Sequence, residues 1–164
     1  ELNRAMVGNA LKLLAPQPGE SILDLFSGLG NFTLPLARSG AEVTAVEGDR
    51  PLVMRARDNA ERNGIAAVNI EYADLFSAQH TDAWWTRQYD AVLLDPPRAG
   101  AAAIVEHMPR FAPRKVVYIS CHPGTLARDL GVLLHTHKYR LDAVGVMDMF
   151  PHTAHIESIA VLSR

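Results

Sequence analysis

The fold is decided by residues 21–31, Ser21-Ile22-Leu23-Asp24-Leu25-Phe26-Ser27-Gly28-Leu29-Gly30-Asn31. The apolar run that opens this stretch predicts a buried strand, and the two glycines predict a tight turn. A helical pattern follows at once and continues to Arg38. A strand, a glycine turn and a helix form the first half of a βαβ unit, so we expect a parallel sheet that contains this strand.

The same alternation extends in both directions along the chain. A helical stretch at residues 1–15 comes before, and strand-like runs follow at residues 41–46, 68–72, 89–94 and 115–120, with helical patterns such as 51–63 between strands. Strands that alternate with helices indicate a parallel sheet covered on both faces. The last two runs, 141–147 and 159–162, are too close for a crossover helix and should pair antiparallel. The predicted class is therefore α/β, a Rossmann-like, mostly parallel seven-stranded sheet with a C-terminal antiparallel hairpin.

Composition narrows the class of protein. The 164 residues are 48% hydrophobic and 21% charged, which suits one globular domain over residues 1–164. Sixteen Lys and Arg against 18 Asp and Glu give a formal charge of −2, so the chain lacks the basic field of a protein that holds nucleic acid by itself. Its single cysteine, Cys121, excludes an internal disulfide framework and fits a reducing compartment. No apolar run approaches the roughly 20 residues of a membrane-spanning helix, so we expect a cytoplasmic protein without a membrane partner.

Polar and special residues follow the predicted strands at the point where each strand ends. In open α/β sheets, ligands bind outside the carboxyl ends of the strands. A single Asp, Asn or Ser at such a position is often only a helix cap or a loop residue. Five strand ends in a row carry such residues, which favours a ligand site: Phe26 to Asn31, Glu47, Asp74, Asp95 and Cys121.

The types of residue at these ends favour an adenosine without phosphates. The Gly28-x-Gly30 turn lets the backbone approach a ligand, but Thr33 stands where a dinucleotide fingerprint needs a third glycine. Glu47 could accept both ribose hydroxyls and would repel a 2′-phosphate. Asp74 could accept a hydrogen bond from an adenine amine. A nucleotide-binding sheet of unspecified chemistry remains the alternative at this point.

Four stretches carry a resemblance to known proteins. Residues 24–32 look like motif I of S-adenosylmethionine-dependent methyltransferases. Three further stretches resemble the RNA (uracil-5-)-methyltransferase family in order and spacing: Asp95-Pro96-Pro97-Arg98-Ala99-Gly100, residues 120–129 (SCHPGTLARD) and residues 149–158 (MFPHTAHIES). Within the family, the last stretch and Ala99-Gly100-Ala101 are most similar to the 23S rRNA branch and less similar to the tRNA branch.

The resemblance implies an S-adenosylmethionine-dependent methyltransferase that acts on carbon 5 of a uridine in RNA, with 23S rRNA favoured over tRNA. Carbon 5 of uracil is a poor nucleophile, so a thiolate must first add to carbon 6, and Cys121 is the only thiol of this sequence. The resemblance assigns the removal of the carbon 5 proton to Glu157. It also implies that S-adenosyl-L-methionine is bound by Phe26, Gly28, Asn31, Glu47, Asp74 and Asp95. The last of these lies where cofactor and target base meet, so it contacts the cofactor, the uracil or both.

The chain departs from the family pattern at two places. His122 stands where family members typically have Asn, and Gly124 replaces a more usual Ala or Glu. The 23S rRNA branch normally also has an oligonucleotide-binding barrel and a domain that ligates an iron–sulfur cluster through cysteines. Because the sequence starts at Glu1 inside a helical pattern, we expect the catalytic domain of a longer protein, which binds the cofactor weakly and methylates RNA poorly alone.

Three alternatives stay open. A cytosine C5 methyltransferase of RNA would need a second cysteine, and an amino-group methyltransferase would have an aromatic residue in place of Arg98. The third is a cofactor-binding module without catalysis. The pairs His135-x-His137 and His152-x-x-His155 raise the question of a metal site, but no third ligand accompanies either pair, so we expect none. No protein partner is evident, and Trp84 and Trp85 are expected to pack beneath a loop.

Overall fold

The computed structural model describes residues 2–77, 79–148 and 156–164. Its helices are α1 (Leu2–Leu14), α2 (Thr33–Arg38), α3 (Arg50–Arg62), α4 (Ala83–Thr86), α5 (Ala102–Glu106), α6 (Met108–Phe111) and α7 (Pro123–Gly131), the last extended by a π-helical turn at Val132–Thr136. Its strands are β1 (Ser21–Leu25), β2 (Glu42–Glu47), β3 (Val68–Tyr72), β4 (Ala91–Leu94), β5 (Lys115–Ser120), β6 (Arg140–Asp148) and β7 (Ile156–Ser163). Within these ranges, none of the helices has both the length and the hydropathy to cross a bilayer.

The strands form one seven-stranded sheet in the order β3-β2-β1-β4-β5-β7-β6. The pairs among β1 to β5 are parallel, whereas β7 runs antiparallel to both β5 and β6. The predicted α/β class and the antiparallel hairpin are thus confirmed. The chain order reverses at β1, which lies between β2 and β4, and this reversal opens a crevice at the carboxyl ends of the strands.

Two apolar layers bury the sheet. On one face, β4 and β5 pack against aromatic side chains that include Trp84 and Phe111, and on the other face against Leu14 of α1 and Leu36 of α2. All residues of β4 are buried, as expected for a parallel strand covered on both faces. Trp84 and Trp85 are only 1% and 3% exposed, which confirms that they pack within the core.

Five of the seven strands differ in their bounds from the sequence-based prediction, and β2 is shifted by one residue, from 41–46 to Glu42–Glu47. β1 ends at Leu25 because Phe26 has a φ of 63°, in the left-handed region that an extended strand excludes. β4 begins at Ala91, since Tyr89 donates its backbone N–H to Phe111 of α6. β6 and β7 are both longer than their apolar runs, because the ladder pairing continues to Arg140 and Asp148 of β6 and to Ile156 and Ser163 of β7.

A buried carboxylate joins α7 to β5 and to the loop after β4. Asp129 of α7 accepts hydrogen bonds from the Tyr118 hydroxyl (2.5 Å), the Ala101 N–H (2.8 Å) and Nε of Arg128 (2.8 Å). Burial, together with the neighbouring Asp129, holds the pKa of Tyr118 above its usual value, so the phenol stays a donor. Three donors compensate the burial of the Asp129 charge.

Two further residues of α7 hold the same loop, residues 95–101, by its backbone. The Thr125 hydroxyl donates to the carbonyl of Arg98 (3.0 Å), and Nη2 of Arg128 donates to the carbonyl of Ala99 (3.0 Å). Because these contacts satisfy consecutive carbonyl groups, the path of the loop is fixed relative to the first turns of α7.

Gly100 is the point where this packing tolerates no side chain. Its φ is 77°, and a Cβ atom there would lie 2.6 Å from Nη2 of Arg128 and 2.7 Å from Oδ2 of Asp129. We predict that Gly100→Ala lowers the free energy of unfolding by about 3 kcal/mol, measured by chemical denaturation. Gly131→Ala is the matched control, since no atom lies within 4 Å of its Cβ position. It should leave stability unchanged or raise it by up to about 1 kcal/mol, and equal stability of the two variants would contradict the packing argument.

Candidate active site

A cavity of about 430 Å³ opens at the carboxyl ends of β1, β2, β3 and β4. Five of the six residues predicted to bind a cofactor line it: Phe26, Gly28, Glu47, Asp74 and Asp95. Among the other lining residues, Pro96 and Pro97 belong to the quoted motif of residues 95–100, whereas no sequence pattern pointed to Gly48, Leu52, Leu75 and Phe76. Asn31 is exposed and is not among the lining residues, so its assignment to a cofactor rests on the family resemblance alone.

Glu47 is held in place by the backbone around it. Its Oε2 accepts the N–H of Gly28 (2.8 Å), and its Oε1 accepts the N–H of Asp49 (2.9 Å). An ionised carboxylate has about four acceptor positions, so about two remain for a ligand. The turn after β1 and the end of β2 thereby present one oriented carboxylate to the cavity.

One wall of the cavity is apolar and aromatic. The N–H groups of Phe26 and Ser27 both donate to the carbonyl of Val46, at 3.0 and 3.2 Å, which holds the left-handed turn at Phe26. The ring of Phe26 contacts that of Phe76 edge to face, with centroids 5.8 Å apart. Phe76 is 57% exposed, so much of its surface is available to a flat apolar ligand.

The described residues that line the cavity include three carboxylates, Glu47, Asp74 and Asp95, and no Lys, Arg or His. Burial, together with the negative charge of Glu157, raises the pKa of Asp95 to about 7. A cavity of this composition repels phosphate groups and attracts a cation. The strong shift at Asp95, caused by burial and by a charged neighbour, is typical of functional sites.

Asp24 lies beneath the cavity and is fully buried in β1. Oδ2 of Asp24 accepts the Thr33 hydroxyl at 2.5 Å, which explains why Thr33 occupies the position of a third glycine. Burial raises the pKa of Asp24 to about 7, although the Thr33 hydrogen bond lowers it. The charges of Asp95 and Glu47 also contribute to this rise.

Cys121 and Glu157 are brought together by the antiparallel pairing of β5 and β7. The last residue pair of this ladder is Ser120 with Ser158. One residue beyond this pair, Cys121 follows β5 and Glu157 lies opposite it in β7, and both residues are half-buried. The effect of Glu157 on Asp95 shows that this end of β7 lies near the cavity, although neither Cys121 nor Glu157 is among its lining residues.

Sequence reasoning missed the residues that hold the cavity's loops and the Asp24 side chain in place without lining the cavity. Tyr118, Thr125 and Asp129 hold the loop after β4, and Thr33 holds Asp24. The only signal for Asp129 was its place inside the quoted motif of residues 120–129. His152 and His155 lie outside the described residues, and within the described ranges no group of three or more His, Cys, Asp or Glu side chains could hold a metal ion.

Similarity to solved structures defines the class of fold. The magnesium protoporphyrin IX methyltransferase of Synechocystis is 20% identical, with a TM-score of 0.75 over 99% of this chain and 79% of that chain. The tRNA (uracil-54, C5)-methyltransferase of Pyrococcus abyssi, solved with S-adenosyl-L-homocysteine, is 36% identical. Its TM-score is 0.78 over 94% of this chain and 37% of that chain. The fold is that of the S-adenosylmethionine-dependent methyltransferases.

Sequence similarity then defines the family. The family model of tRNA (uracil-5-)-methyltransferase matches residues 1–164, and the chain belongs to this family, which confirms the resemblance seen in its motifs. A 23S rRNA (uracil(1939)-C(5))-methyltransferase of Alkalilimnicola ehrlichii is 57% identical over 164 residues. The protein of the same name from Stenotrophomonas maltophilia is 53% identical over 164 residues. The chain spans about 37% of the length of these curated relatives.

The raised pKa of Asp24 predicts a pH dependence of stability. The unfolded carboxyl titrates near 3.8 and the folded one near 7, so the folded state binds the proton more tightly. The contribution of the protonated Asp24 carboxyl to the stability of the fold is complete below pH 3.8 and is lost as the pH rises through 7. Between pH 5 and pH 8, the unchanged protein should therefore lose about 2 kcal/mol of unfolding free energy relative to Asp24→Asn, measured by urea denaturation at each pH.

Asp90→Asn is the control for this measurement. Hydrogen bonds from Ser21 lower the pKa of Asp90, so this carboxyl is ionised in both the folded and the unfolded state throughout that pH range. The difference between Asp90→Asn and the unchanged protein should not vary with pH. A constant difference for Asp24→Asn as well would show that the Asp24 carboxyl is not protonated in the fold.

Proposed function

We propose that this chain binds S-adenosyl-L-methionine in the cavity and transfers its methyl group to carbon 5 of a uridine in RNA, with 23S rRNA as the preferred substrate. The observation that carries the proposal is an acid-lined cavity at the strand ends with Cys121 and Glu157 beside it. The names of the relatives, at 53–57% identity, support the reaction and the choice of rRNA. The 36% identical tRNA enzyme keeps tRNA as the alternative substrate.

The composition of the cavity suits this cofactor. The free acceptor positions of Glu47 match the two ribose hydroxyls, and Asp74 matches the adenine amine. Leu52 and Phe76 offer apolar surface to the adenine ring. The cofactor supplies a methyl group on a positively charged sulfonium, and Asp95 stands at the end of the cavity formed by β4, where a negative charge favours that cation. A pyrophosphate-containing dinucleotide would meet three carboxylates instead.

Catalysis requires that carbon 5 of the base becomes nucleophilic. The Cys121 thiolate forms a bond to carbon 6, and the electron pair of the C5=C6 double bond moves towards carbon 5. Carbon 5 then takes the methyl group, and S-adenosylhomocysteine remains. Glu157 accepts the proton of carbon 5, the C5=C6 bond re-forms, and the bond between Sγ and carbon 6 breaks to regenerate the thiolate.

Burial and the negative charge of Glu157 raise the pKa of Asp95 to about 7, so its ionised and its protonated form are both present near neutral pH. A protonated Asp95 can donate a hydrogen bond, to the base or to the cofactor carboxylate. Arg98, whose carbonyl is held by Thr125, has an exposed position on the same loop and suits an RNA phosphate.

Covalent trapping tests the reaction directly. Incubation of the chain with S-adenosylmethionine and 23S rRNA that contains 5-fluorouridine should accumulate a protein–RNA adduct, because fluorine at carbon 5 cannot leave as a proton. Peptide mass spectrometry should locate the adduct on Cys121. Cys121→Ala should form none, yet its affinity for S-adenosylmethionine, measured by calorimetry, should change less than about twofold.

The same assay separates the alternatives. A tRNA enzyme would trap 5-fluorouridine tRNA in preference to rRNA. A cofactor-binding module without catalysis would bind S-adenosylmethionine but form no adduct with either RNA, and this result would overturn the proposal. Glu157→Gln should slow methyl transfer to unmodified RNA by at least about 100-fold and should still form the adduct, because Glu157 acts only after the methyl transfer.

Glu47→Gln tests the orientation of the cofactor. The amide cannot accept both backbone N–H groups, and it removes one charge-assisted acceptor from the ribose. We predict that the dissociation constant for S-adenosylmethionine rises about 10- to 100-fold, measured by calorimetry. Glu42→Gln is the matched control, because Glu42 is at the opposite end of β2, where it pairs with Arg87 at the surface. An equal effect of both substitutions would contradict the assigned role of Glu47.

A further inference from the structure

Cys121 sits in a tight turn that is closed by its two neighbours. The N–H of His122 donates to the Ser120 hydroxyl oxygen (3.0 Å), and the Ser120 hydroxyl donates to the carbonyl of His122 (3.1 Å). The backbone on both sides of Cys121 is thus fixed by one hydroxyl group. This turn alone, however, does not determine how Cys121 is oriented relative to the helix that follows.

The His122 side chain connects the turn to α7. His122 is the N-cap residue of this helix, and its Nδ1 accepts the backbone N–H of Thr125 at 3.2 Å. The cap satisfies one of the N–H groups that a helix leaves unpaired at its amino end. Since Nδ1 is the acceptor, a neutral ring carries its proton on Nε2.

Gly124 provides the space that the ring of His122 requires. A Cβ atom at position 124 would lie 3.1 Å from Cε1 and 3.5 Å from Nδ1 of the ring, and its other close contacts are confined to its chain neighbours and the backbone of its own helix. The φ of Gly124 is outside the left-handed region, so the backbone itself does not require glycine. Glycine at position 124 therefore leaves the space that the His122 ring occupies.

We propose that His122 is a positioning residue for Cys121 and that Gly124 is its obligatory partner. The imidazole cap ties the Cys121 turn to α7, which also holds the loop after β4 through Thr125. A Cβ atom at position 124 displaces the ring, which weakens the cap and loosens the orientation of the thiol. The inference rests on the proposed function, because it assumes that Cys121 is the nucleophile.

A double-mutant cycle tests the proposal, with the rate of adduct formation on 5-fluorouridine rRNA as its main readout. Gly124→Ala and His122→Ala should each slow adduct formation about tenfold, with the dissociation constant for S-adenosylmethionine unchanged within about twofold. His122→Asn should retain most of the rate, because an Asn side chain also accepts the Thr125 N–H and is smaller than imidazole. When His122→Asn is present, Gly124→Ala should cost less than about twofold.

Melting temperatures give a second readout that does not depend on catalysis. Gly124→Ala should lower the melting temperature by about 2–4 °C in the unchanged background and by less than about 1 °C together with His122→Asn. Equal effects of Gly124→Ala in both backgrounds, or an unchanged adduct rate for His122→Ala, would overturn this inference while the proposed function stands. No adduct with the unchanged chain would instead overturn the proposed function, and the positioning role with it.

Discussion

The pairing of β7 with β5 is the constraint on which the site depends. Side chains alternate between the two faces of a sheet, so a slip of one residue would turn every side chain of β7 to the opposite face. The observed register buries Ala160 and Leu162 in one apolar layer and Val161 in the other. A slipped strand would put polar groups into both layers. The core therefore fixes the register, and the register fixes Glu157 as the residue opposite Cys121.

The carboxylates at the strand ends destabilise the fold of the free protein. Burial raises the pKa of both Asp24 and Asp95, and it is raised further at Asp24 by the charges of Asp95 and Glu47 and at Asp95 by the charge of Glu157. Part of the cost of ionisation is offset locally by the Thr33 hydroxyl on Asp24 and by two N–H groups on Glu47. The unfavourable electrostatic free energy that remains is reduced when a positively charged ligand binds. The repulsion in the free protein therefore favours the binding of a cation.

Periodicity and strand ends made most of the architecture predictable from sequence. All seven strands were expected in their places, and five of the six residues expected to bind a cofactor line one cavity. Local patterns could not reveal contacts between residues far apart in the chain, such as that of Asp129 with Ala101 or the ring contact of Phe76 with Phe26. Asn31 was selected by its motif position, and nothing in a one-dimensional pattern indicates that its side chain is exposed.

Thr125 connects the turn that carries Cys121 to the loop that carries Asp95. Its N–H donates to the His122 ring on the Cys121 side, while its hydroxyl donates to the carbonyl of Arg98 on the side of the loop that carries Asp95. A displacement of either loop strains a hydrogen bond of the other, and Asp129 one turn later couples them again through Tyr118. Cys121 and Asp95 are therefore positioned by a common helix, so their separation is set by the rigidity of α7 rather than by flexible loops.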